Sequence, residues 1–249
     1  MSQKNREGKS TARERLLEDR RREKAAERRL RVAKVLGVAL AVLGVAAVVG
    51  YIAAGQGGNG DADGPADPIA VGSARAPATL SIYEDFRCPA CAQFEISFRD
   101  TIGELTEEGK LRTEYHLVTI IDGNLGGDGS QFAANAAACA RDEGAFTEYH
   151  DVLYDNQPPE SADAFGDKDR LIDLAAGIEE LDTESFRSCV RDGTHDDWVE
   201  RSNNAFRQSS YQATPTVLLN GENIYGDPSD PLTPQRLRER VDELAGEEG

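Results

Sequence analysis

Two cysteines separated by two residues, Cys88 and Cys91, carry the reactive chemistry that is most evident in this sequence. Residues 79–83, just before the pair, alternate with the period of two that is typical of a β-strand. Apolar side chains after the pair recur at the spacing of a helix, at Phe94, Phe98, Ile102 and Leu105. The motif is therefore predicted to lie where a strand ends and a helix begins.

A helix start is a favourable place for a reactive thiolate. The unpaired backbone N–H groups and the positive end of the helix dipole stabilise negative charge on Cys88. Pro89 suits the first helical position, and Arg87 is expected to favour the thiolate as well. A cysteine in this setting has its pKa lowered from about 8.5 into the range of roughly 3.5 to 7.5. We therefore expect Cys88 to react and Cys91, beyond Ala90, to be the shielded resolving thiol.

The charge of the chain is unevenly distributed. The formal net charge is −17, yet residues 1–34 hold 13 Lys and Arg against 6 Asp and Glu, and residues 35–54 hold no charge. Residues 55–249 therefore carry −24. A segment as acidic as residues 55–249 repels nucleic acid, so we expect no nucleic-acid partner.

The uncharged run at 35–54 is 20 residues long, which at about 1.5 Å per residue matches a hydrocarbon core of about 30 Å. It predicts a single transmembrane helix, with a cleaved signal peptide as the alternative. The positive-inside rule places the basic segment 1–34 in the cytoplasm and the rest outside. Residues 55–67, rich in Gly and Asp, are predicted to be a flexible linker.

The remaining pattern predicts an α/β domain. Residues 111–121 read as a second strand, parallel to the first through a right-handed crossover, and residues 122–129 as a turn region. Asn220-Gly221 predicts a hairpin between two short strands. The other predicted elements are helices at 130–141, 146–154, 169–176, 183–191 with Thr183 as N-cap, 196–209 and 234–245, and hairpin strands at 216–219 and 222–225.

This order of elements, together with Cys88-Pro89-Ala90-Cys91 and with Thr214-Pro215 before the hairpin, resembles the DsbA-like thiol-disulfide oxidoreductases, most closely their membrane-tethered actinobacterial members. The resemblance covers residues 68–245. It implies a thioredoxin-like fold with an inserted α-helical domain, preceded by the single transmembrane helix. The thioredoxin-like domain is expected at 68–125 and 195–249, with the insert at 126–194.

The resemblance also implies roles around the cysteines. Pro215 is expected to be cis and to lie beside the pair, with Thr214 offering its backbone to an extended substrate. Without the resemblance, an ordinary trans proline would be the favoured interpretation. Many relatives carry a buried acid six positions before the first cysteine, where this chain has Ile82. Glu84 and Asp85 are expected to form a solvated strand end, leaving water as the proton carrier.

The second cysteine pair, Cys139 and Cys189, is expected to form a structural disulfide, as similar pairs do in actinobacterial relatives. Closing this loop would stabilise the fold by roughly 4 kcal/mol. A second redox pair is the alternative. A zinc site is not expected, because four ligands are needed and the remaining cysteines and histidines form no second closely spaced pair. No other metal and no cofactor are expected.

The predicted function is disulfide donation from Cys88-Cys91 to reduced or unfolded exported proteins, on the outer side of the cell membrane. The resemblance suggests re-oxidation by a membrane partner, a vitamin K epoxide reductase homologue or a DsbB-like protein. A reductase or isomerase of the same fold is the alternative enzyme. A non-catalytic thioredoxin-like module that binds peptides is the alternative from another class.

Overall fold

The computed structural model describes residues 66–247. The predicted basic segment, the predicted transmembrane helix and most of the predicted linker lie outside these residues. Between residues 66 and 247, no helix combines the length and the apolar character needed to cross a membrane.

A five-stranded mixed sheet forms the centre of the domain. The strands are β1 Ile69–Val71, β2 Ala78–Glu84, β3 Leu111–Leu117, β4 Thr216–Leu219 and β5 Glu222–Asn223. They run in the order β1-β3-β2-β4-β5, and among the described residues β2 with β3 is the one parallel pair. The predicted parallel strand-helix-strand unit is therefore confirmed.

In the described part of the chain, eight α-helices surround the sheet or form the segment inserted between β3 and β4. Three short 3-10 helices, at Ala164–Gly166, Ala175–Gly177 and Glu179–Leu181, complete the insert. The α-helices are α1 Pro89–Glu107, α2 Ile120–Leu125, α3 Gly129–Asp142, α4 Phe146–Asp155, α5 Lys168–Leu174, α6 Glu184–Asp192, α7 Asp196–Gln208 and α8 Pro234–Glu247. The expected α/β architecture with inserted helices is confirmed, whereas the insert boundaries 126 and 194 remain a prediction.

The hydrophobic core extends from the sheet into the inserted helices, and the part that positions the cysteines lies where β2 meets α1. Alternate residues of β2, including Leu80 and Ile82, are fully buried, and Phe94 and Leu105 of α1 are buried as well. Helix α1 also packs against α8 and α4. Each fully buried Leu, Ile or Phe side chain contributes about 1.5 to 3 kcal/mol. This packing fixes the position of the first turn of α1.

The predicted end of the second strand is wrong. Strand β3 stops at Leu117 and α2 begins at Ile120, inside the segment expected to be strand and turn. The apolar run through Ile121 is compatible with either structure, and a distant contact decides between them. The Ile121 backbone N–H donates to the Asp85 carboxylate (2.9 Å), so an N–H group in the first turn of α2 has an acceptor. The residues near Ile121 in the sequence do not predict this contact.

The hairpin forms at the predicted place. Asn220 and Gly221 both have positive φ, 47° and 88°, as the two central residues of a type I′ turn require. The Asn220 side chain also accepts a hydrogen bond from the Thr79 backbone N–H (2.7 Å). Strand β5 is shorter than predicted and ends at Asn223.

A disulfide between Cys139 of α3 and Cys189 of α6 links two helices of the insert, 50 residues apart in sequence. Helix α6 begins as predicted, since the Thr183 hydroxyl accepts from the Phe186 backbone N–H (3.1 Å). Asn135 braces the same region by accepting from the His195 backbone N–H and donating to the Val190 carbonyl. We propose that this disulfide is structural.

Replacing this pair, as Cys139→Ala with Cys189→Ser, is expected to lower the free energy of unfolding by about 4 kcal/mol, because the unfolded chain regains the entropy of a 50-residue loop. Urea unfolding followed by circular dichroism measures the change. The matched control replaces Cys88 and Cys91, which close no loop in this structure. A loss below about 1 kcal/mol would contradict a structural role.

Candidate active site

Cys88 and Cys91 lie at the junction of β2 and α1, as predicted. Cys88 is the N-cap residue of α1 and Pro89 occupies its first turn. The Cys88 backbone N–H donates to the Asp85 carbonyl (2.9 Å), and the Cys91 backbone N–H donates to the Cys88 carbonyl (3.1 Å). The Cys88 side chain is 6% exposed and Cys91 is fully buried. The two are not bonded to each other, so the site is a dithiol.

The surroundings shift the pKa values of the two thiols in opposite directions. A hydrogen bond from Cys91, assisted by the backbone N–H groups of Cys91 and Ala90, outweighs burial and lowers the pKa of Cys88 to about 6. Burial raises the pKa of Cys91 well above its ordinary value, and the hydrogen bond with Cys88 adds to this effect. No acidic residue lies in the first turn of α1 to cancel the helix dipole. At neutral pH, Cys88 is therefore a thiolate and Cys91 a thiol.

The loop before β4 closes over the reactive cysteine. The Thr214-Pro215 peptide bond is cis, and the Thr214 carbonyl oxygen lies 3.5 Å from the Cys88 sulfur, where it accepts a hydrogen bond when Cys88 is protonated. The Thr216 hydroxyl braces this loop by donating to the Ala213 carbonyl (2.7 Å). Thr214 lies 126 residues after Cys88 in the sequence. The fold therefore brings Thr214 and Pro215 beside the dithiol.

Arg87 does not act as the sequence suggested. Its guanidinium is buried and points into the insert, where it donates to the Asp122 carboxylate (2.5 Å) and the Gly126 carbonyl (2.9 Å) and pairs with Asp163 (3.0 Å). It also donates to the Glu160 carbonyl (3.2 Å). With two carboxylates beside it, its charge is compensated locally. The expectation that Arg87 stabilises the Cys88 thiolate is therefore wrong; Arg87 holds the active-site loop against the insert.

Asp85 is the second anchor of this loop. Its carboxylate is fully buried and accepts from the Arg87 backbone N–H (2.8 Å), the Ser130 hydroxyl (2.7 Å) and the Ile121 backbone N–H (2.9 Å). Burial raises its pKa to about 7, against the opposing effect of these three donors. The expectation of a solvated strand end at Asp85 is wrong, because the insert covers this position.

Gln157, which follows α4, is a functional residue that sequence reasoning missed. Its side-chain amide donates to the carbonyls of Phe86 and Cys88, at 2.9 Å each. Both are backbone groups of the active-site loop, so these two hydrogen bonds hold the loop in place. Nothing in the local pattern around residue 157 signals this role, because its partners are 71 and 69 residues away.

A buried ionisable cluster of Glu84, Glu95 and His150 lies on the other face of β2. Glu84 and Glu95 are 0% and 1% exposed and His150 is 2% exposed, so the expected solvated position of Glu84 is also wrong. Nε2 of His150 lies 2.8 Å from Oε1 of Glu84. Ile82, at the position of the acid that many relatives carry, is fully buried.

The charges of the cluster follow from its burial. Although burial lowers the pKa of His150, the Glu84 carboxylate and its neighbours raise it to about 10. Burial, followed by the charge of Glu84, raises the pKa of Glu95 well above its ordinary value. One potential metal-ligand atom from each of the three residues lies within 4.8 Å of the other two. This spacing is close enough for the three atoms to bind one metal ion. Nε2 of His150 is already engaged in the hydrogen bond with Glu84. The expectation that the protein binds no metal stays a prediction.

A thiolate and a buried thiol at a helix start, beside a cis-proline loop, define a thiol-disulfide oxidoreductase. The family model described as thioredoxin matches residues 65–243, so the chain belongs to this family. The α/β fold with its helical insert is thioredoxin-like, and the site is of the DsbA-like type that the sequence resembles.

Individual relatives support this class. The structure of oxidised DsbA from Mycobacterium tuberculosis is 32% identical, with a TM-score of 0.61 over 72% of this chain and 93% of that one. The disulfide bond formation protein D of Bacillus subtilis is 25% identical over 62% of this chain and 68% of its own length. The Na(+)/H(+) antiporter NhaA 1 of Salinispora arenicola is 31% identical over 62% of this chain. The match spans only 22% of that antiporter's length.

Replacing Arg87 by Met tests whether it anchors the loop or stabilises the thiolate. We expect the free energy of unfolding to fall by about 3 to 5 kcal/mol, because a buried ion pair loses one partner. The pKa of Cys88 should stay within about half a pH unit, because other groups set it. Urea unfolding and thiolate absorbance at 240 nm measure the two quantities.

The control for Arg87 is Arg99→Met, since Arg99 pairs with Asp151 and Asp155 at a partly exposed site. Its loss should cost no more than about 1 kcal/mol. If Arg87→Met raised the pKa of Cys88 by more than about one pH unit and left stability unchanged, Arg87 would be a thiolate stabiliser after all.

Proposed function

We propose that the protein donates the Cys88-Cys91 disulfide to reduced exported proteins. The observation that carries this proposal is the position of Cys88 as the N-cap residue of α1 beside the fully buried Cys91, which lowers the pKa of Cys88 to about 6. A thiolate stabilised in the dithiol state makes reduction of the enzyme favourable, so its disulfide is a strong oxidant. The buried, protonated Cys91 fits the resolving role.

The exchange takes place in two steps. A substrate thiolate attacks Cys88 Sγ of the oxidised enzyme, the bond to Cys91 breaks, and Cys91 leaves as a thiolate that then takes up a proton. A second substrate thiolate attacks the substrate sulfur of the mixed disulfide, and Cys88 leaves as the stabilised thiolate. Two substrate thiols have become a disulfide, and the enzyme disulfide has become a dithiol.

The cis-proline loop is proposed to position the substrate. The Thr214 carbonyl faces the Cys88 sulfur (3.5 Å), and Pro215 has no N–H to compete for partners. An extended substrate segment that pairs with the backbone of residue 214 would place its cysteine beside Cys88. This role of Thr214 and Pro215 belongs to the proposal.

The proposed place of action is the outer side of the cell membrane, with residues 35–54 as anchor and residues 1–34 in the cytoplasm. The apolar run and the basic segment before it support this orientation. The Cys139-Cys189 disulfide is compatible with an oxidising compartment. A membrane protein of the vitamin K epoxide reductase or DsbB-like type is the proposed re-oxidant, by analogy with the disulfide-forming relatives.

Oxidative refolding tests the direction of exchange. The oxidised full-length protein, in detergent, is mixed with a reduced, unfolded ribonuclease, and recovery of ribonuclease activity is followed. We expect recovery in proportion to the enzyme disulfide added. Cys88→Ser and Cys91→Ser should each abolish it, because neither variant can form the enzyme disulfide that oxidises the ribonuclease. The variant lacking Cys139 and Cys189 is the control and should retain activity wherever it folds.

Other outcomes identify the alternatives. If only the dithiol form acts, and it rescues a ribonuclease with scrambled disulfides, the enzyme is an isomerase or reductase. If Cys88→Ser assists refolding as well as the unchanged protein does, the domain is a peptide-binding module and the proposed donation is wrong.

A further inference from the structure

The disulfide of the insert lies beside a histidine. A ring nitrogen of His195 and the sulfurs of Cys139 and Cys189 all lie within 4.8 Å of one another. Cys139 is buried, whereas Cys189 is only partly buried and the His195 side chain is 16% exposed. Solvent therefore reaches the group through Cys189 and His195. Once the disulfide is reduced, the group offers two thiols and an imidazole, the ligand types that zinc prefers.

Contacts other than the sulfur–sulfur bond hold these residues together. The Asn135 side chain accepts from the His195 backbone N–H (2.8 Å) and donates to the Val190 carbonyl (3.4 Å). These contacts belong to one row of α3 residues at helical spacing, each of which meets segment 189–196. The row consists of Gln131, Asn135, Cys139 and Asp142. The arrangement of the three ligands therefore does not depend on the disulfide alone.

The turn after α6 brings His195 back towards Cys189. Gly193 ends α6 in the left-handed region, with a φ of 66°. The backbone N–H groups of Gly193 and Thr194 both donate to the Cys189 carbonyl. Because the chain folds back at this point, His195 lies beside a cysteine that precedes it by six residues.

Asp142 orients the imidazole. Its Oδ2 lies 2.7 Å from Nε2 of His195, and its Oδ1 accepts from the Arg141 guanidinium. With Nε2 engaged, Nδ1 is the ring nitrogen that remains for a metal. Metal-binding histidines almost always bind a carboxylate, a carbonyl or water through the other ring nitrogen, which fixes the ring and raises its basicity. Asp142 and His195 already form such a pair.

The spacing suits a tetrahedral zinc ion after the disulfide is opened. With Zn–S bonds of about 2.3 Å and Zn–N bonds of about 2.0 to 2.1 Å, neighbouring ligand atoms lie about 3.5 to 3.8 Å apart. The Cα atoms of Cys139 and Cys189 are 5.9 Å apart, so rotation of the two side chains separates the sulfurs to this distance. Water is left as the fourth ligand.

We propose that Cys139, Cys189 and His195 bind one zinc ion when the two cysteines are thiols, so that the metal closes the loop that the disulfide closes in the oxidised protein. The inference goes beyond the proposed exchange at Cys88 and Cys91 and does not depend on it. It departs from the sequence-based expectation of no metal, which considered four ligands in closely spaced pairs. The three ligands here come from α3, from α6 and from the turn before α7.

The reactions of the site balance as follows. A newly synthesised chain contains both cysteines as thiols, so no reductant is needed to reach the binding state. On binding, each thiol loses its proton to water and its sulfur bonds to zinc. When an organic disulfide oxidises the site, it takes up two electrons and becomes two thiolates. The bond between Cys139 and Cys189 then forms, and the zinc ion is released.

The test is binding of Co²⁺, which occupies zinc sites and absorbs light when thiolates bind it. Full-length protein with Cys88→Ser and Cys91→Ser, in detergent, is reduced with a phosphine, freed of it without air and titrated with Co²⁺. We expect a thiolate-to-cobalt band that saturates at one ion per chain and is removed by zinc. Oxidised glutathione should abolish the band by forming the disulfide. The same protein with Cys139-Cys189 oxidised should show no band.

Two variants test the remaining ligand and its partner. His195→Ala should weaken cobalt binding by more than about 100-fold, because a ligand is lost, and Asp142→Asn should weaken it by about 10- to 100-fold. His116→Gln is the matched control, since His116 stacks on Tyr83 in the sheet and should leave the affinity unchanged. Circular dichroism confirms that each reduced variant is folded.

The reduced protein itself gives an answer that requires no change at the site. Zinc should raise its urea unfolding midpoint and leave that of the oxidised protein unchanged, because the metal binds the folded dithiol. Absence of the cobalt band, or a midpoint that zinc does not raise, would overturn the proposal. Equal cobalt affinity of the folded His195→Ala variant would also overturn it, because the thiols alone would then hold the metal.

Discussion

The buried carboxylate of Asp85 is the interaction on which the active site depends. It accepts hydrogen bonds from the loop that bears Cys88, from the first turn of α2 and from the first turn of α3. These donors lie up to 45 residues from Asp85 in sequence. Because one carboxylate satisfies all three, the end of β2, the start of α1 and the insert adopt a fixed arrangement. The hydrogen bonds of Arg87 to Asp122 and of Gln157 to the Cys88 carbonyl reinforce it.

This arrangement explains how neighbouring acids serve different purposes. Successive residues of a strand point to opposite faces, so Asp85 meets the insert while Glu84 meets α1 and α4. Asp85 is held by hydrogen-bond donors and fixes geometry. Glu84 lies against His150 and a second buried carboxyl group, Glu95, and is coupled to Cys91. The face of β2 therefore determines whether an acid fixes the active-site loop or joins the buried cluster with His150 and Glu95.

The sequence predicted those features that local rules govern. The strand-helix junction at Cys88, the N-cap at Thr183 and the turn at Asn220-Gly221 each follow from a few consecutive residues. The directions of Arg87 and Asp85 could not be predicted, because they depend on groups in the insert. Glu95 did give a signal, a charged residue within the apolar stripe of α1, but a pattern alone does not identify its partner. The early end of β3 has the same cause, because the distant Asp85 carboxylate accepts a hydrogen bond from Ile121 and thereby stabilises a helix in this apolar segment.

The central claim is that the reduced site holds negative charge on Cys88 at neutral pH. It is tested most directly by titrating the thiolate absorbance of the reduced protein at 240 nm, with Cys88→Ser as the blank. Since the pKa of Cys88 is lowered to about 6, the thiolate should be present above that pH and disappear as the pH falls through it. A midpoint near pH 6 agrees with the account, and one at the ordinary value of about 8.5 contradicts it.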